Sequence, residues 1–223
     1  MYVSFTGCQW GAARYIWGMT ETTKDHWVDE ASPEAGVREQ LVAAAGDHFS
    51  KFGYEKTTLA DLAKAIGFSK TYFYRFFASK QEIGEAVCSQ CLGKILAAIE
   101  AEMAGAPSAT EKLRRMLRTI PAMSMQLFFE ERKLYDIAAV STRDAWSSST
   151  KYYDRLAERL QSILQQGREV GEFERKTPID EVTRAILLAI TPFADPRVLQ
   201  HHLDLVPDRS NEVVSLILRS LAP

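Results

Sequence analysis

Residues 67–80 restrict the fold of this chain more than any other stretch, because only a helix gives their side chains a workable arrangement. Their sequence is Gly-Phe-Ser-Lys-Thr-Tyr-Phe-Tyr-Arg-Phe-Phe-Ala-Ser-Lys. At helical spacing Phe73 and Phe77 lie on one side, and the cationic and hydroxyl groups around them face outward. Gly67 allows a tight turn before this helix, and Ser69 is suited to cap its first backbone N–H groups. The pattern is typical of a helix that reads DNA.

A second short helix precedes this one, and a longer helix precedes both. Thr58 is a hydroxyl cap for a helix over 59–66, with an acid in the first turn and apolar residues on one face. Two short helices joined through Gly67 form a helix-turn-helix. Further upstream, Pro33 follows a serine cap, and apolar residues recur at helical spacing until Gly53 ends the helix.

The remainder of the chain also reads as helices. Ser79 and Ser108 each have a Glu three residues later, which is the capping-box pattern for the start of a helix. Thr177-Pro178 closely resembles this pattern and predicts a third helix start, with proline as the first helical residue. Pro121 predicts a kink or a restart. The expected helices cover about 80–104, 109–128, 130–143, 146–170, 178–193 and 209–221, with a short connecting helix at 195–202. Alternating strand patterns and hairpin turns are lacking, so the sequence predicts an all-α fold.

Three landmarks follow one another at characteristic spacing near the start of the chain. A helix ends with Phe-Ser-Lys-Phe-Gly-Tyr at 49–54, Thr-Thr-Leu-Ala-Asp-Leu-Ala-Lys-Ala-Ile-Gly follows at 57–67, and the segment 68–80 completes the set. This order resembles the TetR/AcrR family of bacterial transcriptional regulators over roughly residues 36–83. The resemblance implies a three-helix helix-turn-helix DNA-binding domain at 33–78 and a helical bundle for ligand binding and dimerisation at 79–223. Residues 1–32 have neither the charged start nor the continuous apolar core of a signal peptide, and we expect them to be a poorly ordered extension.

Within the expected reading surface, the resemblance implies a division of roles. Side chains that approach base edges are Lys70, Thr71, Tyr72 and Arg75. Side chains that hold phosphates are Thr58, Tyr74 and Lys80, and the anchors that dock the helix on its own domain are Phe68, Phe73 and Phe77.

Some positions depart from the family pattern. Gly46 and His48 stand where aliphatic residues are commoner, and Thr71-Tyr72 stands where a small residue followed by Ser or Thr is commoner. Three interpretations of Tyr72 remain open: it reads a base edge, it lies along a phosphate, or it fills a gap.

The charge distribution agrees with a DNA-binding module at residues 35–80. This segment holds seven Lys or Arg against four Asp or Glu, whereas residues 1–34 hold two against five. The whole chain has a formal net charge of −2, which argues against nonspecific coating of nucleic acid. A local basic excess is the electrostatic footprint of specific DNA recognition.

Large and adaptable side chains are concentrated in the middle of the chain, where the resemblance implies an effector site near a kink such as Pro121. Methionines fill irregular space and aromatic rings bind flat apolar molecules, although such stripes are more often plain core. The expected pocket residues are Met116, Ile120, Met123, Phe128, Tyr135, Trp146 and Tyr153. The expected partners are a small apolar or aromatic effector and a palindromic double-stranded operator, and no membrane.

The last two long helices are predicted to hold a homodimer together. Both carry apolar stripes, and the terminal helix is apolar over much of its circumference, which requires cover on more than one side. The expected interface residues are Val182, Ile186, Ala189, Val213, Leu216 and Ile217. In the family the corresponding pair forms a four-helix bundle with its symmetry mate. A twofold dimer would place two recognition helices in successive major grooves, about 34 Å apart.

Several functional classes are disfavoured by the sequence. The chain has 223 residues, 46% of them hydrophobic, and lacks an apolar run of about 18 residues that would span a bilayer. Three cysteines do not make a disulfide framework, so a cytoplasmic location is expected. Phosphate-binding loops and hydrolase or zinc-protease motifs are lacking, and the adjacent His201 and His202 diverge by about 100° on a helix. We therefore expect no enzyme, no cofactor and no metal.

Two features keep alternatives open. Cys88 and Cys91 lie at i,i+3, where two thiolates could bind a soft metal or respond to oxidants, while the simpler interpretation is two small buried hydrophobes. Residues 1–18 precede Met19, an internal start, and could be an artefact of start-site choice or a real arm that packs on the domain or enters the minor groove. The rival function is a helical ligand-binding or protein-interaction module whose helix-turn-helix is only structural.

Overall fold

The computed structural model describes residues 33–223, and within that range it consists of helices and their connections, which confirms the all-α prediction. The extension at 1–32, including the question of its start, lies outside the described residues. The helices are α1 (Pro33–Phe52), α2 (Leu59–Ile66), α3 (Lys70–Phe73), α4 (Lys80–Met103), α5 (Ala109–Glu130), α6 (Arg132–Arg143), α7 (Ser147–Glu169), α8 (Ile179–Ala194), α9 (Pro196–Leu199) and α10 (Asp208–Ser220), with a 3₁₀ turn at Leu203–Leu205. None of these helices is long and apolar enough to cross a lipid bilayer.

Local capping determines where the short N-terminal helices begin. The Thr58 hydroxyl accepts a hydrogen bond from the Asp61 backbone N–H, and the Asp61 carboxylate accepts one from the Thr58 backbone N–H at 2.9 Å. Gly67 ends α2 with a φ of 79°, a left-handed conformation that favours glycine. Ser69 then caps α3 by accepting from the Tyr72 N–H. The helix-turn-helix thus follows from cap and turn residues that the sequence already shows.

The third helix is shorter than the sequence predicts. Regular α-helix ends at Phe73, and the chain continues through a turn in which the N–H groups of Arg75 and Phe76 bond to carbonyls three residues back. Phe77 still bonds to the Phe73 carbonyl, at 3.2 Å, so it keeps the i,i+4 relation to Phe73. The tighter turn rotates the residues after Phe73 relative to an ideal helix.

Two details of the C-terminal helices differ from the prediction: α5 does not restart at Pro121, where the kink stays a prediction, and α8 begins one residue later. Pro121 neither ends nor restarts α5, which continues to Glu130 with the proline buried in its interior. The missing N–H costs one ladder bond, and burial of this segment against neighbouring helices offsets that loss. The start of α8 lies one residue later than predicted, because Pro178 stands outside the helix and accepts no side-chain cap bond. The Glu174 carboxylate instead accepts from the Thr177 N–H at 3.1 Å.

One apolar core joins the helix-turn-helix to the rest of the described chain. The central element is α4, which packs against α1, α5, α6 and α7. The core cluster extends from Phe49, Phe73 and Phe77 through Ile83 into the C-terminal bundle around Leu160. The apolar core is therefore continuous from the helix-turn-helix to the C-terminal bundle.

Candidate nucleic-acid interface and effector site

The outward side of α3 and its following turn carries exposed cations. Lys70, Thr71, Tyr74 and Arg75 are exposed, and the Lys70 ammonium lies 5.9 Å from the centre of the Tyr74 ring. Cations and hydroxyls on one side of a short helix are the groups that bind base edges and phosphates in DNA. Two further lysines, Lys56 before α2 and Lys64 in its last turn, are also exposed. The basic excess of residues 35–80 indicated them only collectively, so the sequence prediction gave them no role.

Two of the three predicted anchors are buried, and the third is not. Phe73 and Phe77 are 1% and 0% exposed, and the Arg38 guanidinium covers the Phe77 ring at 4.8 Å. Phe68 retains 37% exposure, because its ring stacks on Tyr72 at the edge of the domain instead of entering the core.

Tyr72 occupies the middle of an aromatic column. Its ring lies 4.9 Å from that of Phe68 and 5.4 Å from that of Phe76, and the Arg75 guanidinium stands 5.6 Å from its centre. The ring is therefore half-buried between neighbours on both sides. This packing favours the gap-filling interpretation of Tyr72 over a base-reading one.

Thr58 and Lys80, both predicted to hold phosphates, are engaged within the protein. The Thr58 hydroxyl lies 2.7 Å from the Asp61 carboxylate, in the cap of α2. The Lys80 ammonium donates to the carbonyls of Tyr54 and Glu55 at 3.0 and 3.3 Å and lies 4.3 Å from the centre of the Tyr54 ring. Because Tyr54 and Glu55 lie in the connection between α1 and α2, Lys80 fixes that connection to the start of α4.

Three residues far apart in sequence form the contact between the helix-turn-helix and the bundle; we call it the interdomain clamp, composed of Tyr54, Gly84 and Trp146. The rings of Tyr54 and Trp146 meet edge to face at 5.4 Å, and burial raises the pKa of the Tyr54 hydroxyl to about 12. A Cβ at Gly84 would lie 2.7 Å from the Tyr54 ring. Trp146 was predicted as a pocket residue; it instead packs in this clamp.

A carboxylate strengthens the same junction. The Glu85 carboxylate accepts a hydrogen bond from the Ser147 hydroxyl at 2.7 Å, at the first residue of α7. Burial opposes its ionisation, but hydrogen bonds from Ser147 and Gln81 outweigh that cost and hold the pKa of Glu85 below its ordinary value. The start of α4 is thereby bonded to the start of α7, next to the clamp.

The C-terminal bundle contains a small cavity of about 20 Å³. Two of the predicted pocket residues, Tyr135 and Tyr153, line it, together with Leu92 and Tyr152. The Tyr135 hydroxyl donates to the Pro196 carbonyl at 2.7 Å, and burial raises the pKa of Tyr153 to about 12. Drug-sized ligands occupy about 300–1,000 Å³, so the cavity in this conformation has room for about one water molecule.

The other predicted pocket residues lie beside the cavity without lining it. Met116 and Ile120 are fully buried and belong to the apolar core. Met123 packs against that core, and Phe128 meets Tyr135 edge to face at 4.9 Å while the Arg132 guanidinium covers its other side at 4.2 Å. The aromatic concentration in the sequence therefore forms mostly core, with the cavity at one edge of it.

The predicted dimer surface is divided between the core and solvent. Val182, Ile186 and Ile217 are buried within the protomer, and Val213 is half-buried against the core, because α8 and α10 pack on each other and on α5. Ala189 and Leu216 face outward.

Leu188, which the sequence prediction omitted, is 74% exposed and precedes the exposed Ala189 in α8. The adjacent Leu187 packs against the core, and two neighbouring leucines gave no signal as to which one faces outward.

The two cysteines of α4 are buried and hard to ionise. Cys88 and Cys91 are 1% and 8% exposed, and burial raises the pKa of the Cys91 thiol to about 11. Ser141 and Ser148, whose hydroxyls lie 2.9 Å apart, approach the Cys88 thiol. In residues 36–223 no three metal-ligating side chains come together. Raised thiol pKa values favour the structural interpretation of the pair.

Two family models match this chain in succession. Residues 41–87 match "Bacterial regulatory proteins, tetR family", and residues 109–214 match "Tetracyclin repressor-like, C-terminal domain". The chain belongs to the TetR family. Members of this family are DNA-binding transcriptional regulators, not enzymes.

Relatives and solved structures agree with this assignment. An uncharacterized HTH-type transcriptional regulator, YfiR of Bacillus subtilis, is 25% identical over 154 residues, which cover 66% of this chain and 73% of YfiR. The crystal structure of the TetR-family regulator PfmR from Thermus thermophilus is 28% identical, with a TM-score of 0.51, over 82% of this chain and 100% of PfmR.

FadR from Bacillus subtilis in complex with stearoyl-CoA shares the fold at 18% identity, with a TM-score of 0.62, over 82% of this chain and 98% of FadR.

Proposed function

We propose that this TetR-family protein is a repressor that a small apolar or aromatic effector releases from its operator. The proposal rests on the packing of two parts against each other. One part is the cation-bearing reading helix, which buried phenylalanines hold in place, and the other is the helical bundle with its aromatic cavity. Both parts pack on α4 or on its immediate neighbours.

On DNA, a homodimer would read a palindromic operator with one α3 in each of two successive major grooves. Lys70, Thr71 and Arg75 would approach base edges, because they are exposed on the reading side, and Tyr74 would contact phosphate. The Tyr72 ring would hold the Arg75 guanidinium in place through a cation–π contact.

The partner surface would be the outward side of α8 and α10. Leu188, Ala189 and Leu216 are exposed there, and an apolar surface of this kind is stabilised by burial against a second copy.

Effector binding would act through α4. The cavity must enlarge to hold a molecule of ordinary size, and α4 forms part of its wall through Leu92. Because the first two turns of α4 carry Lys80 and Gly84, displacement of α4 would alter the interdomain clamp and the spacing of the two reading helices. A coupling of about 1–3 kcal/mol is enough to change operator occupancy usefully. The protein would act in the cytoplasm, where its operator lies.

The experiment that tests this proposal selects genomic fragments bound by the purified protein and places each upstream of a transcriptional reporter. A repressor lowers expression from its own fragment, and the Arg75→Ala variant restores it. Fragments that are recovered without salt-sensitive, competitor-resistant binding would favour the rival function, a ligand-binding or protein-interaction module with a structural helix-turn-helix.

A further inference from the structure

Two surface hollows lie end to end between α4 and α7. The outer one, about 510 Å³, and the inner one, about 150 Å³, share Gly93, Leu96 and Arg155 as lining residues. The inner hollow also shares Leu92 and Tyr152 with the aromatic cavity. The outer hollow, the inner hollow and the cavity therefore adjoin in that order, and we call this succession the route. Both hollows open to solvent, and Leu92 and Tyr152 form the wall between the inner hollow and the cavity.

The charge along this route is uneven. Lys151 and Arg155 line the inner hollow, which has Ser89 and Ser148 as its other polar residues and no carboxylate. Among the described residues, neither cation is engaged in a salt bridge. The outer hollow is lined by two carboxylates, Glu100 and Glu158, and by Arg159, which is paired with Glu100 at 2.6 Å. The excess positive charge thus lies next to the entrance of the cavity.

Apolar and small residues form the floor beneath these cations. Leu92, Gly93 and Leu96 follow one face of α4, and a Cβ added at Gly93 would meet no atom within 4 Å. Beyond the wall, Tyr135 and Tyr153 continue the apolar surface inside the cavity. The cations therefore lie in the inner hollow, on one side of the wall, and apolar side chains lie on the other.

We propose that the effector is an amphipathic carboxylate whose head binds Lys151 and Arg155 and whose apolar chain passes Leu92 and Tyr152 into the aromatic cavity. This inference rests on the proposed function, since it specifies the ligand of the same effector site. Entry of the chain displaces Leu92 and Tyr152 and separates α4 from α7. The separation moves the helix that carries the interdomain clamp, so binding of the carboxylate disfavours the DNA-bound arrangement.

Calorimetric titration with dodecanoate and with dodecanol, both below their aggregation concentrations, tests the proposal. The two probes share the apolar chain and differ in charge. We expect dodecanoate to bind about fivefold more tightly than dodecanol, because Lys151 and Arg155 are exposed and solvent weakens ion pairs at such positions. Equal affinities, or failure of dodecanoate to bind, would overturn the inference.

Three variants locate the site. Gly93→Leu fills the inner hollow and should abolish dodecanoate binding, whereas Gly93→Ala leaves the hollow open and should retain it. Lys151→Ala combined with Arg155→Ala should reduce the affinity for dodecanoate to that for dodecanol. Unchanged dodecanoate binding by Gly93→Leu, or by the double variant, contradicts the assignment.

Operator affinity of the unliganded protein separates this inference from the proposed function. If the protein binds its operator but dodecanoate neither binds nor releases it, the effector class is wrong and the regulator remains. If no specific operator binding occurs, the proposed function itself is wrong.

Discussion

Replacing Gly84 with alanine places a methyl group inside the interdomain clamp. The new Cβ would lie 2.7 Å from Cε2 of Tyr54 and 3.2 Å from Cη2 and Cζ3 of Trp146. The Tyr54 ring does not move aside freely, because it also packs edge to face on Phe49 at 5.3 Å and the Tyr54 backbone carbonyl accepts from Lys80. The junction between the helix-turn-helix and the bundle must therefore shift.

Two opposing effects set the change in the free energy of unfolding. Overpacking a core by one methyl group costs about 1–3 kcal/mol. Alanine in place of glycine within a helix contributes about 1 kcal/mol in the other direction. We therefore expect a net destabilisation of about 0–2 kcal/mol. We also expect operator affinity to fall about tenfold, because the coupling free energy between two sites of a protein is typically about 1–3 kcal/mol.

Gly93→Ala is the matched control, because it lies in the same helix and its added methyl group meets no atom within 4 Å. It should stabilise the protein by up to about 1 kcal/mol and leave operator affinity unchanged. Urea unfolding and fluorescence polarisation on operator DNA measure both quantities for each variant. If Gly84→Ala equals Gly93→Ala in stability and in operator affinity, the clamp does not position the reading helix.

Three other predictions concern the reading surface, the dimer and α4. Arg75→Ala should cost about 1–3 kcal/mol of operator affinity and relax sequence preference, whereas Lys80→Met should reduce stability by about 1 kcal/mol and leave the salt slope of binding unchanged. Competition polarisation and salt titration distinguish the two outcomes. Equal losses of operator affinity in both variants would refute the division of roles. Leu188→Glu should shift the protein from dimer to monomer in sedimentation. Because the Leu188 side chain is exposed, the substitution should change the free energy of unfolding of the monomer by no more than about 0.5 kcal/mol. A dimer that the substitution leaves unaltered would place the interface elsewhere. Alkylation of Cys91 should be slow at neutral pH and accelerate only as the pH approaches the thiol pKa of about 11, because the thiolate is the reactive form. Rapid labelling of the folded protein at neutral pH would show that the thiol is not buried.

The parts of the structure that follow from neighbouring residues were predictable. Thr58, Ser69, Ser79 and Ser108 each cap a helix through a backbone N–H three residues later, so their role is readable from a few consecutive letters. Gly67 is similar, because a left-handed turn between two short amphipathic segments leaves few alternatives.

Contacts between distant segments were not predictable in the same way. Lys80 reaches the Tyr54 carbonyl across 26 positions, and no local pattern distinguishes that lysine from one that faces a phosphate. A large apolar side chain such as Trp146 suits both a ligand pocket and a contact between domains. Only its packing against Gly84 in the structure shows that it belongs to the interdomain clamp. In α10, apolar residues lie around much of the circumference, so the sequence could not tell the buried Ile217 from the exposed Leu216.

The measurement that tests the central claim most directly is fluorescence polarisation of the full chain on DNA from upstream of its own gene, with nonspecific competitor present and salt varied. The claim predicts saturable binding that resists competitor, weakens steeply with salt, and is lost in the Arg75→Ala variant while the protein remains folded. Binding that Arg75→Ala leaves unchanged, or that nonspecific DNA removes completely, would contradict it.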